Sequence, residues 1–380
     1  MRIAIVTSVH TPFDIRIYHK QYTSLKKRYK DITIIVPNQV ELAKKDRTFI
    51  SFRGFENFWL RAVNNFIIMT KCVRLKPGLI IFHDPDLLPF MISYKLFNPA
   101  RIIYDIHEDY PNYFLQNEKL PGILRKLIKN IYIVFEKTAK QTLDHLIYAD
   151  HFTAEFYHKN FRKKISVVYN YPIVKEYRRT EKIYDLICQG SLHGGVHKRL
   201  LNILEELDKN SDREIKCMII GRNASDQIKN EIRQLSQKLI HVKIIYDEDI
   251  PYSEVQEYVE KARIGLTPWP QTKKFDRNIP TKIFEYLMHS IPQVASKTPS
   301  IFHYLQWTES GFCIEHQDYA AGFAVKILDI LHNYSEFEAR AKTDYEMLKK
   351  QWTWNPKEEG KFLDIIAAVC QLESADSKPH

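Results

Sequence analysis

The hydrophobic residues of the chain follow two alternating periods. Short runs of β-branched and aliphatic residues, bounded by turn residues, alternate with longer segments in which apolar residues recur every three to four positions. The short runs predict strands at residues 2–8, 32–37, 79–83, 101–106, 145–148, 165–169, 185–189, 216–221, 242–246, 264–267, 292–295 and 312–314. The longer segments predict helices that include residues 17–29, 58–75, 224–239, 253–261, 281–289 and 319–331. Such alternation is typical of parallel sheets covered by helices on both faces.

The alternating pattern occurs twice along the chain. Each half contains six predicted strands, and the halves meet near Asn170-Tyr171-Pro172 and a charged stretch at 175–182. We therefore expect an α/β protein of two Rossmann-like, doubly wound domains, the first over residues 1–174 and the second over 175–354. The cleft that two such domains would share is the expected ligand site.

Charge is distributed unevenly between the two halves. The 380 residues include 56 Lys and Arg against 46 Asp and Glu, a net charge of +10. Residues 1–175 carry 28 basic and 15 acidic side chains, whereas the remainder carries 28 and 31. A basic first half indicates an anionic partner, and nucleic acid, anionic lipid and sugar phosphate all fit that description.

The cysteines and the apolar segments bear on the cellular compartment. The five cysteines are widely spaced, contain no Cys-x-x-Cys and predict neither a disulfide framework nor a zinc site. They are Cys72, Cys188, Cys217, Cys313 and Cys370. The first residues lack a signal-peptide pattern, and no apolar run approaches the roughly 18 residues of a spanning helix. We expect a cytoplasmic protein whose membrane association, if any, is peripheral on the inner face of the cell membrane.

Two common nucleotide-binding loops are missing from the sequence. No Gly-x-Gly-x-x-Gly follows a predicted strand and opens a helix, which disfavours a dinucleotide-dependent enzyme. The P-loop pattern Gly-x-x-x-x-Gly-Lys-Ser/Thr is also missing. Any phosphate contacts must therefore come from other parts of the two domains.

The segment from Arg277 to Leu287 is the most informative one. Pro280 is suited to a helix start, and the free amides of that first turn together with Lys282 make an anion site. Glu285 follows one turn later, where a carboxylate can accept two hydrogen bonds from the vicinal diol of a ribose. The alternative interpretation is a capped helix that carries a solvated lysine and a solvated glutamate.

Seven stretches in order along the chain resemble glycosyltransferase family 4, the retaining enzymes of the GT-B fold that include many enzymes of bacterial surface-polysaccharide synthesis. The resemblance covers residues 1 to about 370. The stretches are His10-Thr11-Pro12-Phe13-Asp14-Ile15-Arg16-Ile17, His83-Asp84-Pro85-Asp86, Tyr104-Asp105-Ile106-His107-Glu108-Asp109-Tyr110-Pro111, Tyr169-Asn170-Tyr171-Pro172, Gln189-Gly190-Ser191-Leu192, Pro280-Thr281-Lys282-Ile283-Phe284-Glu285-Tyr286 and Trp352-Thr353-Trp354.

The resemblance implies roles for individual residues. Glu285 would hold the ribose hydroxyls of a donor nucleotide, and Lys282 would lie near its diphosphate. His107 would sit beside the donor sugar, although a structural histidine held by Asp105 or Asp109 is the alternative. Further donor contacts would come from Gly190, Ser191, Arg199, Arg222, Pro280 and Thr281, and the acceptor side from His10, Asp14 and Arg16. A final helix at 355–372 would cross back to the first domain.

Sugar transfer from a nucleotide requires that the charge of the leaving diphosphate be neutralised. We expect no cofactor and no metal, so lysine, arginine and helix amides must supply this stabilisation. The glycines of the segment 190–199 allow close backbone approach, and Lys198 and Arg199 at its basic end are the candidate cations. His107, Lys198 and Lys282 are thus the predicted catalytic residues.

Several positions depart from the family pattern. The slot aligned with Val196 often holds an arginine in the family, and Arg277 stands where the family's Glu-x7-Glu motif has its first glutamate. The contacts to the donor sugar can therefore not be transferred from the family. A usual glycine before Ile291 is Ser290, and Thr11-Pro12-Phe13-Asp14 replaces a glycine-rich turn after the first strand.

The interpretation is a retaining glycosyltransferase that moves a sugar from a nucleotide diphosphate donor, a UDP-sugar, to a glycan or polyprenyl-linked glycan. No pair of carboxylates with hydrolase spacing can be identified, and Asp84 and Asp86 are more typical of turn or helix-cap residues. A catalytically weak scaffold, motivated by Val196 and Arg277, and a nucleotide-sugar epimerase are the alternatives. Nucleic-acid binding is disfavoured because no nucleic-acid-binding motif accompanies the basic residues.

An anionic membrane surface is a further expected partner of the first domain. Its lysines and arginines cluster at 26–30, 44–47, 71–76, 125–129 and 162–164. The helices predicted from Phe58 to Lys71 and from Ile123 to Phe135 mix aromatic, aliphatic and basic residues at helical spacing. The alternative is that their apolar residues pack on the sheet and their lysines are solvated.

Overall fold

The computed structural model describes residues 1–55, 57, 60–115, 120–157, 164–174, 176, 180–222, 224–248, 250 and 252–376, with backbone alone at 222, 252, 253 and 372–376. Contacts divide the chain into two compact units. Unit 1 consists of Met1–Asn170 and Trp354–His380, and unit 2 of Tyr171–Thr353.

Unit 1 is built around a parallel sheet. Its strands are β1 (Arg2–Val6), β2 (Asp31–Pro37), β3 (Phe49–Phe52), β4 (Leu79–Phe82), β5 (Arg101–Ile106), β6 (His145–Tyr148) and β7 (Ile165–Val167). They lie in the order β3-β2-β1-β4-β5-β6-β7, and every neighbouring pair is parallel. The central strand β4 has the sequence Leu-Ile-Ile-Phe and is buried along its whole length. Such uninterrupted apolar runs are expected where helices cover both faces of a parallel sheet.

The sheet of unit 1 has one strand more than the sequence predicts. The extra strand, β3, pairs only with β2 and stands at the edge of the sheet. It has four residues and follows a charged stretch, so its apolar signal is too short to separate from a loop.

Unit 2 repeats the parallel architecture. Its strands are β8 (Tyr184–Ser191), β9 (Ile215–Arg222), β10 (Val242–Asp247), β11 (Ala262–Thr267), β12 (Gln293–Ser296) and β13 (Gly311–Ile314). The order is β10-β9-β8-β11-β12-β13, again parallel throughout. All six strands were predicted from the sequence, with ends that differ by one or two residues. The expected fold class, two Rossmann-like parallel α/β domains, is confirmed.

Helices cover the faces of both sheets. In unit 1 they are α1 (Thr23–Lys26), α2 (Val40–Lys45), α3 (Arg61–Leu75), α4 (Leu88–Phe97), α5 (Tyr110–Leu115), α6 (Gly122–Thr142) and α7 (His151–Tyr157). Unit 2 contributes α8 (Val196–Asn210), α9 (Asp226–Ser236), α10 (Tyr252–Glu260), α11 (Lys273–Arg277), α12 (Thr281–Met288), α13 (Pro299–Leu305), α14 (Tyr319–His332) and α15 (Tyr334–Gln351), and α16 (Glu359–Asp376) returns to unit 1. Ile15–Tyr22 is π-helical, Pro85–Leu87 is a 3-10 turn, and the segment Trp354–Glu358 is kinked at Asn355. None of the helices described is both long and apolar enough to span a bilayer.

The C-terminal segment is anchored within unit 1. Trp354 is buried, and its indole Nε1 donates a hydrogen bond of 3.2 Å to Ser24 Oγ. The carboxylate of Glu359 accepts from Ser24 Oγ at 2.7 Å and from Lys27 Nζ at 2.6 Å. Glu358 accepts from the Tyr169 amide at 2.8 Å. These bonds attach the last helix to the first helical segment and to the end of the sheet.

The strand order of each sheet reverses at one point. In unit 1 the chain moves outward from β1 to one side and from β4 to the other, and in unit 2 the same occurs at β8 and β11. Loops at the carboxyl ends of such strand pairs diverge and leave a crevice, the usual ligand position in doubly wound sheets. The candidate site residues cluster at these two points.

Candidate functional site

In unit 2 the crevice lies where β8 and β11 end. Gly190 has a φ of 104°, a left-handed conformation that favours glycine. A Cβ built on Gly190 would stand 2.6 Å from Lys282 Nζ, so this glycine lets the lysine ammonium lie directly against the backbone. Two predicted donor residues are thereby brought together from segments about ninety positions apart.

Helix α12 presents Glu285 on its buried side. Glu285 is 6% exposed, and its Oε2 accepts a hydrogen bond of 2.6 Å from Gln189 Nε2 at the end of β8. The predicted alternative of a solvated glutamate is wrong, because this carboxylate is buried. The bond from Gln189 holds the Glu285 carboxylate next to the carboxyl end of β8.

Lys282 stands at the first turn of α12 without a hydrogen-bonding acceptor among the described residues. The lysine is half-buried, and its Nζ lies 6.0 Å from the centre of the Trp269 ring. Burial lowers the pKa of Lys282, while Cys188 and Glu285 act in the opposite direction. An ammonium in this situation is short of a counter-charge, which makes it a candidate partner for an anion.

The loop that leads into α8 is built from glycines. Gly194 and Gly195 both have positive φ, 65° and 89°, and Gly195 caps the helix. Val196 is buried at 2% exposure, so the slot that often carries an arginine in the family points into the core. Lys198 is exposed on the first turn of the helix. Arg199 is half-buried, and its guanidinium stacks 3.5 Å from the centre of the Tyr319 ring.

The remaining donor-side residues are placed around this crevice. Ser191 is the exposed last residue of β8, and its Oγ accepts a 3.4 Å bond from the His193 amide. Pro280 precedes the first turn of α12 as its cap, and Thr281 is the exposed first residue of that helix. Arg222 ends β9, and its side chain lies outside the described part of the chain.

Three polar residues of unit 2 were missed by the sequence reasoning. They are Thr267 at the end of β11, Asp276 in α11 and His316 just after β13. Each has a buried oxygen or nitrogen without a hydrogen-bond partner in the described structure, as does Arg199 at its Nε. The position of Asp276, directly before the missing family glutamate at 277, was the one available signal in the sequence.

In unit 1 the corresponding crevice holds a network of charges between β1, β4 and β5. His10 Nδ1 lies 2.9 Å from Asp84 Oδ1, and the other Asp84 oxygen accepts from Thr7 Oγ1 at 2.7 Å and from the Ser8 amide at 2.6 Å. Burial alone would lower the pKa of His10, but the adjacent Asp84 carboxylate outweighs it and raises the pKa to about 9. His10 is thus protonated at neutral pH.

The fully buried carboxylate of Asp105 organises the second part of the network. Arg16 binds it in a two-pronged ion pair, with Nε at 2.8 Å and Nη2 at 2.7 Å. Gln21 Nε2 donates a further bond of 2.5 Å. Arg16 is 2% exposed, so its guanidinium is engaged in the core of unit 1, and its place on the acceptor side stays a prediction.

His107 meets the same carboxylate. Its Nε2 lies 3.2 Å from Asp105 Oδ2 and 3.0 Å from His83 Nδ1. Burial lowers the pKa of His107 to about 4 despite the carboxylate, so the ring is neutral at pH 7. With Nε2 turned to Asp105 and His83, Nδ1 is the atom left for a ligand. The structural role at Asp105 and a role toward a ligand are therefore compatible in one ring.

The cluster of His83, Asp105 and His107 also has the geometry of a metal site. One ligand atom from each lies within 4.8 Å of the others. However, both oxygens of Asp105 already bind Arg16, whose positive charge opposes a metal cation at that carboxylate. The donor set of these three residues therefore fits a metal poorly.

Asp14 and Asp84 have different local roles. Asp14 Oδ1 accepts bonds from the amides of Arg16 and Ile17 and caps the helical segment that begins at Ile15. Asp84 precedes the turn at Pro85 but makes no side-chain cap bond there. Asp84 thus stands in the expected turn position, at the start of this 3-10 turn, while Thr7, Ser8 and His10 occupy its carboxylate. Asp86 lies within the same turn, and its side chain accepts a hydrogen bond of 2.8 Å from Ser8 Oγ.

Comparison with known proteins identifies the second unit. Residues 184–333 match the family model described as "Glycosyl transferases group 1". No curated protein matches the sequence. The match contains every predicted donor residue, and it covers the two strands whose ends form the crevice.

Solved structures share the fold over nearly the whole chain. The Anabaena HepE structure in complex with UDP has a TM-score of 0.68 at 13% identity, covering 99% of this chain and 100% of that one. Sucrose-phosphate synthase from Thermosynechococcus elongatus has a TM-score of 0.72 at 14% identity, with coverages of 99% and 100%. A glycosyltransferase from Rickettsia africae has a TM-score of 0.64 at 12% identity, with coverages of 97% and 98%. At these identities the likeness concerns the fold.

The two findings complement each other. The family model assigns residues 184–333 to a sugar-transferring domain, and the structural neighbours place both units in the GT-B architecture. The chain is therefore a glycosyltransferase of the GT-B fold, and residues 184–333 within its second unit are similar to the group 1 glycosyltransferases.

Proposed function

We propose that the protein is a retaining glycosyltransferase that uses a UDP-sugar and transfers its sugar to a glycan or polyprenyl-linked glycan in surface-polysaccharide synthesis. The observation that carries the proposal is the pair of Lys282 and Glu285 on α12, at the carboxyl end of β8. A cation short of a counter-charge and a buried carboxylate one turn apart match the diphosphate and the ribose diol of one nucleotide. The UDP and UDP-glucose bound to HepE support uridine as the base.

The reaction breaks the bond between the anomeric carbon and the diphosphate oxygen and forms a bond from that carbon to an acceptor hydroxyl. The acceptor proton passes to an oxygen of the departing diphosphate, on the same face of the sugar, which retains the configuration. Lys282 and the amides at the start of α8 and α12 would stabilise the charge that develops on the diphosphate. Lys198 and Arg199 would add positive charge, and His107 Nδ1 would bind a sugar hydroxyl.

We further propose that this transfer needs neither a metal nor a cofactor. The charge on the leaving group can be balanced by Lys282, Lys198 and helix amides, which are the groups that the site residues supply. Under this proposal a chelator leaves turnover unchanged.

The acceptor side is proposed to work at an anionic membrane surface. Helix α6 carries exposed apolar side chains at helical spacing, with Ile123 86%, Leu127 52%, Ile131 46% and Val134 62% exposed; we call these four residues the α6 stripe. Five basic residues share the helix, and its one acid, Glu136, is buried and bonded to Tyr148. An apolar stripe with basic neighbours suits the interface of anionic lipids. Phe58 and Trp59, which belong to the other predicted membrane helix, lie outside the described residues.

Calorimetric titration with UDP, GDP and ADP tests the donor assignment. We expect micromolar binding of UDP and at least a tenfold loss with Glu285→Ala, since a charged hydrogen-bond partner of the ribose is removed. Glu346→Ala is the matched control, because Glu346 is an exposed residue that pairs with Lys349 on α15. Thermal unfolding of each variant separates lost binding from lost folding, as Glu285→Ala also leaves Gln189 without its partner.

The results distinguish the proposed transferase from the alternatives. Binding that is unchanged in Glu285→Ala would remove this residue from the site. A folded protein that binds none of the three nucleotides would instead favour a scaffold, with Val196 and Arg277 as the physical reasons. Interconversion of UDP-sugars without an acceptor would identify an epimerase.

A further inference from the structure

Unit 2 contains a second polar cluster beside the nucleotide residues. Thr267, Ser296 and His316 lie at or just beyond the carboxyl ends of the adjacent strands β11, β12 and β13. Thr267 pairs in register with Ala295, and Ser296 pairs with Ile314. Arg199 from α8 reaches this edge, with its Nη2 3.4 Å from Ser296 Oγ. Together with Asp276 of α11, which interacts with His316, the cluster draws on three strands and two helices of one unit.

Several atoms of this cluster are buried without partners. Within the described part of the chain, hydrogen-bond partners of normal geometry are missing for Thr267 Oγ1, Arg199 Nε, Asp276 Oδ1 and both ring nitrogens of His316. Thr267 is 1% exposed, so solvent does not satisfy its hydroxyl. A buried polar group without a partner costs about 1 to 3 kcal/mol. Several in one place indicate that a polar ligand completes the site.

The charges of the cluster are coupled. Burial lowers the pKa of His316, and the charge of Arg199 lowers it further, while the Lys297 backbone and Asp276 oppose the shift. Burial raises the pKa of Asp276, and the charges of His316 and Arg277 partly reverse this. A neutral imidazole offers one donor and one acceptor, and a carboxylate offers acceptors. Together with the threonine hydroxyl and the guanidinium, these groups match the donors and acceptors of a polyhydroxyl compound.

The cluster is held in a fixed arrangement. Arg199 is clamped on Tyr319, whose hydroxyl accepts a 2.7 Å bond from Asn202 Nδ2. Ser300 Oγ donates a 3.1 Å bond to the Phe275 carbonyl, which fixes α11 next to Asp276. Such support is what a site needs to discriminate between hydroxyl configurations.

The cluster adjoins the nucleotide residues through two aromatic rings in contact. Phe275, directly before Asp276, has its ring centre 4.6 Å from that of Trp269. Trp269 in turn lies 6.0 Å from Lys282 Nζ. A ligand with its diphosphate at Lys282 would therefore have the next chemical group near Asp276.

We infer that Asp276 and His316, supported by Arg199 and Thr267, bind the hydroxyl groups of the transferred sugar and determine which sugar is accepted. This inference rests on the proposed function and names its sugar subsite. Asp276 and His316 take the place of a glutamate at position 277, where this chain has an arginine. Their predicted contribution is to the sugar and not to the nucleotide.

The test compares the binding of UDP with that of UDP-glucose, UDP-N-acetylglucosamine and UDP-glucuronate by calorimetry without an acceptor. For the wild type, one of the three UDP-sugars should bind more tightly than UDP. In Asp276→Asn and His316→Gln, UDP affinity should stay within about twofold, while the added affinity for that sugar falls about 10- to 100-fold, the value of a charged or buried hydrogen bond. Glu315→Gln is the control, because Glu315 is exposed and pairs with Lys297 next to His316.

The outcomes separate this inference from the proposed function. A wild-type protein that binds none of these compounds contradicts both. If the wild type binds UDP and both variants lose affinity for UDP and for the UDP-sugars equally, the proposed function stands and the inference is overturned. A merely structural role of the two residues would lower the affinity for both ligands alike. A sugar advantage that survives in both variants, or that is missing in the wild type, also overturns it.

Discussion

At the scale of single residues, the proposed donor site depends on a lysine that packs against a glycine. Lys282 lacks an acceptor among the described residues, and it can occupy this position only because Gly190 has no side chain. The free energy that the ammonium loses on burial would be recovered on binding of the proposed diphosphate. The lysine is thus prepared for an anion before the anion arrives.

Gly190→Ala should weaken UDP binding by at least tenfold. The new Cβ would stand 2.6 Å from Lys282 Nζ and displace the ammonium, and the φ of 104° is one that alanine adopts with strain. Calorimetry with UDP measures the loss. Gly360→Ala is the control, because a Cβ there meets nothing within 4 Å. Equal UDP affinity in the two variants would show that Lys282 does not contact the nucleotide.

The histidines of unit 1 show how neighbouring residues of one type acquire opposite protonation. His10 beside Asp84 has its pKa raised to about 9, whereas burial lowers that of His107 to about 4. The difference lies in the balance between burial and the neighbouring charges. At His107 burial outweighs the attraction of Asp105, and the charges of His83 and Arg16 add to the lowering, whereas at His10 the attraction of Asp84 outweighs burial. At a pH between these two values, the His10 ring is charged and the His107 ring is neutral.

At the scale of elements, the turn after α12 explains a departure from the family pattern. Ser290 has a φ of 51°, which is in the left-handed region where glycine is favoured. The residue is 1% exposed, and its Oγ has no hydrogen-bond partner in the described structure. A serine here carries both backbone strain and an unsatisfied hydroxyl.

Ser290→Gly should therefore stabilise unit 2. We expect the free energy of unfolding to rise by about 1 kcal/mol, because relief of strain and of the buried hydroxyl exceeds the entropy that glycine adds to the unfolded chain. Urea unfolding measures this change in the free energy of unfolding. Ser236→Gly, at a helical position in α9, is the control and should lose up to about 1 kcal/mol. A lower stability of Ser290→Gly would contradict the strain argument.

At the scale of elements, a strand or helix could be predicted from the sequence where its own hydrophobic pattern is long and clearly bounded. The buried strands β5 and β6 match the predicted residues because their apolar runs end at turn residues. The edge strand β3 was missed because four residues carry little periodicity. The partners of Asp84 and Arg16 were not predicted, because they lie 76 to 89 positions away along the chain.

At the scale of the whole molecule, charge is segregated along the chain. The excess of basic residues in 1–175 coincides with the exposed α6 stripe, whereas the second part of the chain is close to neutral. Electrostatic attraction and apolar insertion reinforce each other at an anionic lipid surface.

We expect the protein to sediment with vesicles that contain phosphatidylglycerol and not with vesicles of phosphatidylcholine alone. Exchanging Ile123 and Leu127 for glutamate should reduce binding by at least tenfold, since each apolar side chain contributes about 1.5 kcal/mol or more. Ile240→Glu is the control, because this residue is 72% exposed in unit 2. Equal sedimentation of the wild type and the α6 stripe variant would exclude α6 as the docking surface. Added salt should lower the fraction of protein that sediments with the anionic vesicles, because it screens the charges.

The sequence by itself determined the two parallel sheets, the resemblance carried by residues 280–286 and the uneven charge, because these depend on periodicity and composition within short segments. The tertiary structure decided which side chains meet. Gln189 and Glu285 are 96 positions apart, and they join only because the end of β8 lies beside α12. The same holds for Asp276 on α11 and His316 after β13, whose unsatisfied atoms become visible only in the folded unit. Partners distant along the chain leave no local pattern, so three-dimensional packing alone reveals them.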